Sequence, residues 1–248
     1  FPKNACFFEP NNSKLNLTPY ELIPYFLGMH TKVTEIKKLL GNLNITNIPF
    51  SEGLPVTDLH WMIYDGEDCI VIEQTKTGLN VYENPIGVLT NNPPFNYHIT
   101  NINNYINLTP ENKENRFSSE IDLEHYGQGM GAIGLPGDNS PSSRFVRAAF
   151  NKLNSICKDD EVSSVTQFFH ILDSVAMVQG TTRTREGKND ITTYSCCINI
   201  TKGIYYYKTY TNNQITAVKM TEKEKSKKNL SIYNLIEEQQ IRYVNIEE

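Results

Sequence analysis

Four short apolar runs, at residues 59–64, 69–74, 79–82 and 86–90, are separated only by Asp65-Gly66, Thr77-Gly78 and Asn84-Pro85. A parallel strand pair needs a crossover of a dozen or more residues, and no such length is available between these runs. The stretch is therefore predicted to be an antiparallel meander turned by tight hairpins. A meander has two faces, and at least one must be covered by something apolar.

Helical spacing on either side supplies the cover. After Thr18-Pro19, the residues Leu22, Ile23, Phe26 and Leu27 form a stripe that ends near Gly28. A second stripe, Val33, Ile36, Leu39 and Leu40, is capped by Thr31 and stopped by Gly41-Asn42. Residues 1–17 read as polar and irregular. Between the second helix and the meander, the prolines and Gly53 of I-P-F-S-E-G-L-P force a loop that carries Phe50 and Leu54. These two either form a pocket wall or partner surface, or tuck into the core beneath the loop.

The meander ends in T-N-N-P-P-F, where two prolines stop the ladder and leave Asn91 at a strand tip. A helix over about 95–106 follows, and then a polar excursion over 107–127 that is long for a compact domain. The run G-M-G-A-I-G at 129–134 matches G-x-G-x-x-G, but Glu124-His125-Tyr126 is no hydrophobic strand and Pro136 intervenes before any helix, so no nucleotide site is expected.

In G-L-P-G-D-N-S-P-S-S-R-F-V-R-A-A-F, residues 134–150, Ser140 is a natural N-cap and Pro141 suits the first helical position. Phe145, Ala149, Leu153 and Ile156 give the ensuing helix an apolar face. Arg144 places a cation in the first turn, against the helix dipole, and so needs a partner. Asp138 is one choice and a polar functional site is the other. Ser163 or Ser164 caps the next helix, with Val165, Phe168, Phe169, Leu172, Val175 and Ala176 inward. Strands return at 192–200, 203–210 and 214–220, and the mixed-sign run at 219–228 reads as a solvated edge. The order of elements indicates an α+β fold in which two antiparallel sheets pack together with helices outside.

Bulk properties narrow the function. A chain of 248 residues with 39% hydrophobic content fits one large domain, spanning 1–248. With a net charge of −5 and lysines interleaved with glutamates, there is no basic stripe for nucleic acid. No apolar run approaches the length of a membrane span. Five cysteines, without metal spacing, indicate a reduced and cytoplasmic protein, and a bridge between the strand neighbours Cys196 and Cys197 would be strained. Five histidines in five different elements make a metal site improbable, and no cofactor is expected. There is no G-x-S-x-G elbow, Ser142-Ser143 has no evident base, and Cys69 lies in a buried strand pattern that would keep its thiol protonated. The sequence holds no convincing nucleophile. It holds parts that assist one: an asparagine amide at a strand tip can donate to a developing oxyanion, and an arginine at a helix start can lower the pKa of a nearby thiol.

Five motifs, D-L-H-W-M-I (58–63), I-G-V-L-T-N-N-P-P-F-N-Y-H (86–98), the 134–150 segment, Q-F-F-H-I-L (167–172) and K-G-I-Y-Y-Y-K-T-Y (202–210), closely resemble the choloylglycine hydrolase family and, within it, conjugated bile salt hydrolases. The motifs stand in the family's order through nearly the whole chain. The resemblance implies an N-terminal-nucleophile hydrolase with an α-β-β-α sandwich. Its nucleophile is a cysteine whose own α-amine serves as base, acting on the amide of glycine- or taurine-conjugated bile acids. That cysteine is expected in a segment before Phe1, so the chain reads as the carboxy-terminal three quarters of the enzyme and is expected to be inactive alone. By the same resemblance Asn91 is the oxyanion asparagine, Arg144 the active-site arginine, Phe50 and Leu54 line the steroid pocket, and the 107–127 excursion belongs to a homo-tetramer contact. Penicillin V acylase, of the same fold, and a nucleophile-free steroid-binding module are the alternatives.

Overall fold

The computed structural model describes residues 1–245. They form two compact units, one over Phe1–Leu153 and the other from Asn154 onward, and each is α+β with a three-stranded antiparallel sheet.

In the first unit the meander is built as its turns require. Strands β3 (Trp61–Tyr64), β4 (Cys69–Thr75) and β5 (Gly78–Glu83) pair in sequence order, with Trp61 opposite Ile72 and Gln74 opposite Leu79. The expected fourth run, 86–90, is not a strand. The Asn84 side chain explains this: its Oδ1 accepts from Gly87 N at 2.8 Å and its Nδ2 donates to Val88 O at 3.0 Å, so the chain folds back before a fourth ladder can form. A short parallel pair joins β1 (Leu15–Leu17), in the region read as irregular, to β2 (Leu43–Ile45), just after the second helix, where no strand is expected. Three-residue strands leave too little alternation for a sequence signal.

Helices α1 (Leu22–Met29) and α2 (Val33–Leu40) form at the two stripes. Helix α1 starts later than Thr18 because Glu21 closes a separate turn, its carboxylate accepting from Thr18 N at 2.8 Å while its own N–H donates to Thr18 O. Only Leu22 and Phe26 of its stripe are buried; Ile23 and Leu27 are exposed. Thr31 does not cap α2. That role falls to Asp65 in the β3–β4 turn, whose Oδ2 accepts from Val33 N at 2.8 Å.

Strand β4 is buried on both faces, and alternation divides its residues between two cores. Ile70 and Ile72 join Leu22, Phe26, Val33, Ile36 and Leu40 on one side. Val71 joins Ile86, Phe95, Phe145 and Ala149 on the other, supplied by α3 (Phe95–Asn101) and α4 (Pro141–Asn154). Each large apolar side chain fully buried here is worth roughly 1.5–3 kcal/mol, so the two cores dominate the unit's stability. Two polar residues, Glu73 and Gln74, are also fully buried on β4. Gln74 serves the first core by accepting from Ile45 N at 3.0 Å and donating to Ile45 O. Glu73 serves the second, taking the Phe95 N–H on both carboxylate oxygens at 3.1 and 3.2 Å.

Helix α3 continues as a 3-10 turn, Ile102–Tyr105, and the 107–127 excursion has no helix or strand of its own. Its base is pinched at Gly131, where a Cβ would lie 1.7 Å from Glu111 O and 2.6 Å from Thr109 O. Helix α4 begins at Pro141 as expected, but Leu153 and Ile156 are 61% and 90% exposed, so the buried face ends at Ala149. The helix stops at Asn154, and in its last turn Lys152 Nζ donates back to Ile86 O.

In the second unit, α5 (Glu161–Asp173) is capped by Asp160, whose side chain accepts from Ser163 N at 2.8 Å. Ser163 and Ser164 lie inside the helix, and the Ser163 hydroxyl donates to the same carboxylate. Phe169 is buried, whereas Phe168 is exposed rather than inward. Strands β6 (Tyr194–Asn199), β7 (Ile204–Thr209) and β8 (Thr216–Lys219) form the expected antiparallel set, with Cys196 opposite Tyr207 and Cys197 opposite Tyr206. All five cysteines are free. A short helix α6 (Glu222–Lys225), with a capping box from Thr221 and Glu224, occupies the mixed-sign run. No helix among the described residues is long and apolar enough to cross a membrane.

The Asp65 cap carries a pH signature. Hydrogen bonds from the backbone of Val33, Asp68 and Glu67 lower its carboxyl from 3.8 to about 2. A carboxyl depressed in the folded state contributes stability above its unfolded pKa and loses it as pH falls. Asp65→Ala should therefore lower the melting temperature at neutral pH, and thermal scans should show the gap from the parent protein closing between pH 3.8 and about 2.

Candidate functional site

The turn before α4 is knitted to the helix it starts. Gly134 adopts φ +101°, a left-handed conformation that favours glycine. Asp138 Oδ1 accepts from Ser140 N at 2.8 Å, and Oδ2 accepts from the Ser143 hydroxyl. Hydrogen bonds from Ser140 and Ser143 hold the Asp138 carboxyl at about 2, so it stays ionised at the positive end of α4. Ser140 Oγ accepts from Ser143 N at 3.4 Å and is the expected cap. Arg147 Nη1 reaches back to Pro136 O and Asp138 O at 2.6 and 3.1 Å.

Asp138 is thus engaged by the serines, and the Arg144 guanidinium spans the turn. Its Nε donates to Asn139 O at 3.1 Å and its Nη2 donates to Asn91 Oδ1 at 2.6 Å. Two residues 53 positions apart, singled out on separate grounds, thus meet directly. A second tie runs alongside: the Thr90 hydroxyl donates to Pro141 O at 3.0 Å.

The direction of this bond matters chemically. An amide whose oxygen is engaged by arginine must turn its NH2 the other way, and the guanidinium polarises that NH2 into a stronger donor. Asn91 is exposed. The pair therefore offers outward N–H donors beside a fixed positive charge, which is what a developing oxyanion requires.

Behind Asn91 stands a buried polar chain that sequence reasoning did not assign to the site. His98 Nε2 lies 3.2 Å from Asn91 O, and the His98 ring stacks on Phe145 with centroids 4.7 Å apart. Burial pushes the His98 imidazole pKa down, favouring the neutral ring. Glu73, which holds the start of α3, also lies 3.0 Å from His60 Nδ1. The readable signal was Pro93-Pro94, which strips the turn of backbone donors.

Phe50 and Leu54 are 68% and 56% exposed, so the reading that they tuck beneath their loop is wrong. The loop is too tight for that: Leu54 N donates back to Ser51 O at 3.0 Å. Phe50 packs edge-on against Tyr20 at 5.5 Å, and Tyr20 Oη anchors Pro55 O at 2.7 Å. No described contact joins Phe50 or Leu54 to the Asn91–Arg144 pair. Two surface cavities of about 480 and 500 Å³ lie elsewhere and include none of these four residues. In the first, Glu161 accepts from Asn199, Lys202 and Tyr206, and its bond pushes the Tyr206 hydroxyl up to about 12. That cluster is internally satisfied. No group of three or more histidine, cysteine or acidic side chains among the described residues could hold a metal.

Comparison with known proteins gives the arrangement its lineage. Residues 1–235 match the family described as linear amide C–N hydrolases, choloylglycine hydrolase family. The chain belongs to the choloylglycine hydrolase family. It is 49% identical to a bile salt hydrolase/transferase of Lactiplantibacillus plantarum over 99% of this chain and 76% of that protein. It superposes on the crystal structure of a variant conjugated bile acid hydrolase from Clostridium perfringens with TM-score 0.90 and 42% identity, covering 99% of this chain and 75% of that one. A penicillin V acylase from Agrobacterium tumefaciens shares the fold, with TM-score 0.65 and 19% identity over 88% of this chain and 61% of that one. The choloylglycine hydrolase lineage accounts for the α+β architecture and for all five sequence motifs.

The Arg144 contact makes a direct prediction. Arg144→Met should release the Asn91 amide, moving its side-chain NH2 pair in ¹⁵N–¹H spectra. The bonds to Asn91 and Asn139 are lost together, so denaturant titration should show a stability loss of about 1–3 kcal/mol.

Proposed function

We propose that this protein, expressed from its complete coding sequence, hydrolyses the amide bond of glycine- or taurine-conjugated bile acids through a cysteine thioester. The observation that carries this reading is the 2.6 Å bond by which Arg144 turns the Asn91 NH2 outward, in a chain 49% identical to a bile salt hydrolase/transferase. The nucleophilic cysteine lies in a segment preceding Phe1, and its α-amine takes the thiol proton. In support, burial raises the thiols of Cys69 and Cys197 away from the reactive thiolate form.

The sulfur attacks the amide carbonyl carbon, and the oxygen that gains the electron pair accepts from Asn91 Nδ2. Collapse of the tetrahedral adduct breaks the C–N bond, the amine leaves with a proton, and water then hydrolyses the thioester to the free bile acid. Phe50 and Leu54 offer apolar contact to the steroid rings; their exposure on a braced loop supports this role. The penicillin V acylase alternative draws on a likeness of fold alone, at 19% identity. The family match runs through both compact units, which favours one functional domain over 1–248. Phe117 and Tyr126, exposed on the 107–127 excursion, suit the homo-tetramer contact, and five free cysteines suit the cytoplasm.

Incubation of the complete protein with taurocholate should release taurine, faster than the side-chain amide of penicillin V is hydrolysed in a parallel assay; absence of free taurine would overturn the reading. The 248-residue chain alone should show no turnover. Asn91→Ala in the complete protein should lower kcat by about 10²–10³-fold, the usual cost of one oxyanion donor.

A further inference from the structure

The carbonyl of Asn91 is in an unusual position. A turn would normally satisfy it from the backbone N–H two, three or four residues on. Here the residues two and three on are Pro93 and Pro94, which have no N–H. The fourth, Phe95, gives its N–H to Glu73. Every local donor is removed or spent, and the group that faces the carbonyl is His98 Nε2, 3.2 Å away.

His98 is suited to hold that position. It is 0% exposed, lies one turn into α3, and stacks within 16° of parallel on Phe145, the residue next to Arg144 on α4. One ring therefore touches the backbone of the oxyanion donor and the helix turn that carries its arginine. The Pro93 carbonyl also acts on the ring, Nδ1 has no hydrogen-bond partner among the described residues, and a carbonyl oxygen facing Nε2 calls for the proton there.

We propose that His98 is a positioning residue for catalysis: its Nε2–H donates to Asn91 O and fixes the peptide so that the Asn91 side chain meets Arg144 and presents its NH2 to the oxyanion. This rests on the reading of Asn91 as an oxyanion donor. His98 acts through Asn91 and touches neither substrate nor nucleophile. The titratable groups around it are Glu73 and His60, and no proton transfer by His98 is involved.

Two measurements test this. In the complete protein, ¹⁵N-histidine spectra should show His98 protonated on Nε2 and bare on Nδ1; the opposite tautomer overturns the proposal whatever the enzyme's substrate. In the complete protein with taurocholate, His98→Leu should lower kcat by about 10- to 100-fold with little change in KM, the scale of a misplacement near 1 Å. His98→Gln, which keeps an N–H donor on a similar reach, should recover most of that loss. In an Asn91→Ala background, His98→Leu should cost less than about twofold, because residues acting as a unit are not additive. An equal loss in that background, or a rise in KM with kcat unchanged, overturns the positioning role. If the wild-type protein releases no taurine, the functional reading fails, while the tautomer and the shift of the Asn91 NH2 signals in His98→Leu still decide the inference.

Discussion

The first unit depends on a polar requirement at the centre of its sheet. Strand β4 is buried on both faces and carries Glu73 and Gln74 side by side, so alternation sends one into each core. A buried polar group without a partner costs about 1–3 kcal/mol, comparable to what a core leucine contributes. Both layers therefore have to deliver backbone groups to fixed points on β4. Gln74 fixes the β2 backbone at Ile45, and Glu73 fixes the first N–H of α3. Apolar packing alone would let these layers slide; the two side chains set their register.

The site inherits that precision. Glu73 locates α3, α3 carries His98, and His98 reaches the Asn91 carbonyl. From the other side, the serines claim Asp138 and the Arg144 guanidinium extends to the Asn91 amide. Asn91 is thus gripped at both ends, at its carbonyl by a buried ring and at its side-chain oxygen by a cation. What it leaves to solvent is its NH2. Arg144, placed in a first helical turn against the dipole, donates to a carbonyl and to an amide oxygen, and both bonds offset that penalty.

Elements governed by local chemistry were legible in the sequence. The hairpin turns fixed the β3-β4-β5 order, and Ser140-Pro141 fixed the start of α4. Elements governed by remote partners were not. Helix α2 is capped by Asp65, 32 residues away, so Thr31 was the natural but wrong choice. The run at 86–90 has strand composition, yet an Asn84 side chain folds it back. At the site, Asn91 and Arg144 stood out through a proline pair and a dipole conflict, and their resemblance to a family sharpened both. Their contact, and the part played by His98, needed the fold. Phe50 and Leu54 could be placed on a loop from sequence, but their exposure follows from the Ser51–Leu54 turn and could not be read from hydrophobicity.

The pinch at Gly131 has a consequence for how such a protein can change over evolutionary time. Because Gly131 meets the Thr109 and Glu111 carbonyls with no space for a side chain, the excursion is closed into a ring at its base, where Asn112 also ties it to Gly127 and Met130. Closing a longer ring costs little more than closing a short one, about 0.6 kcal/mol for each doubling of length. Residues within it can be lengthened, shortened or exchanged while α3 and α4 keep their positions. Selection can therefore rework the exposed face of the ring independently of the Asn91 amide and the Arg144 guanidinium, provided the glycine at the knot is kept.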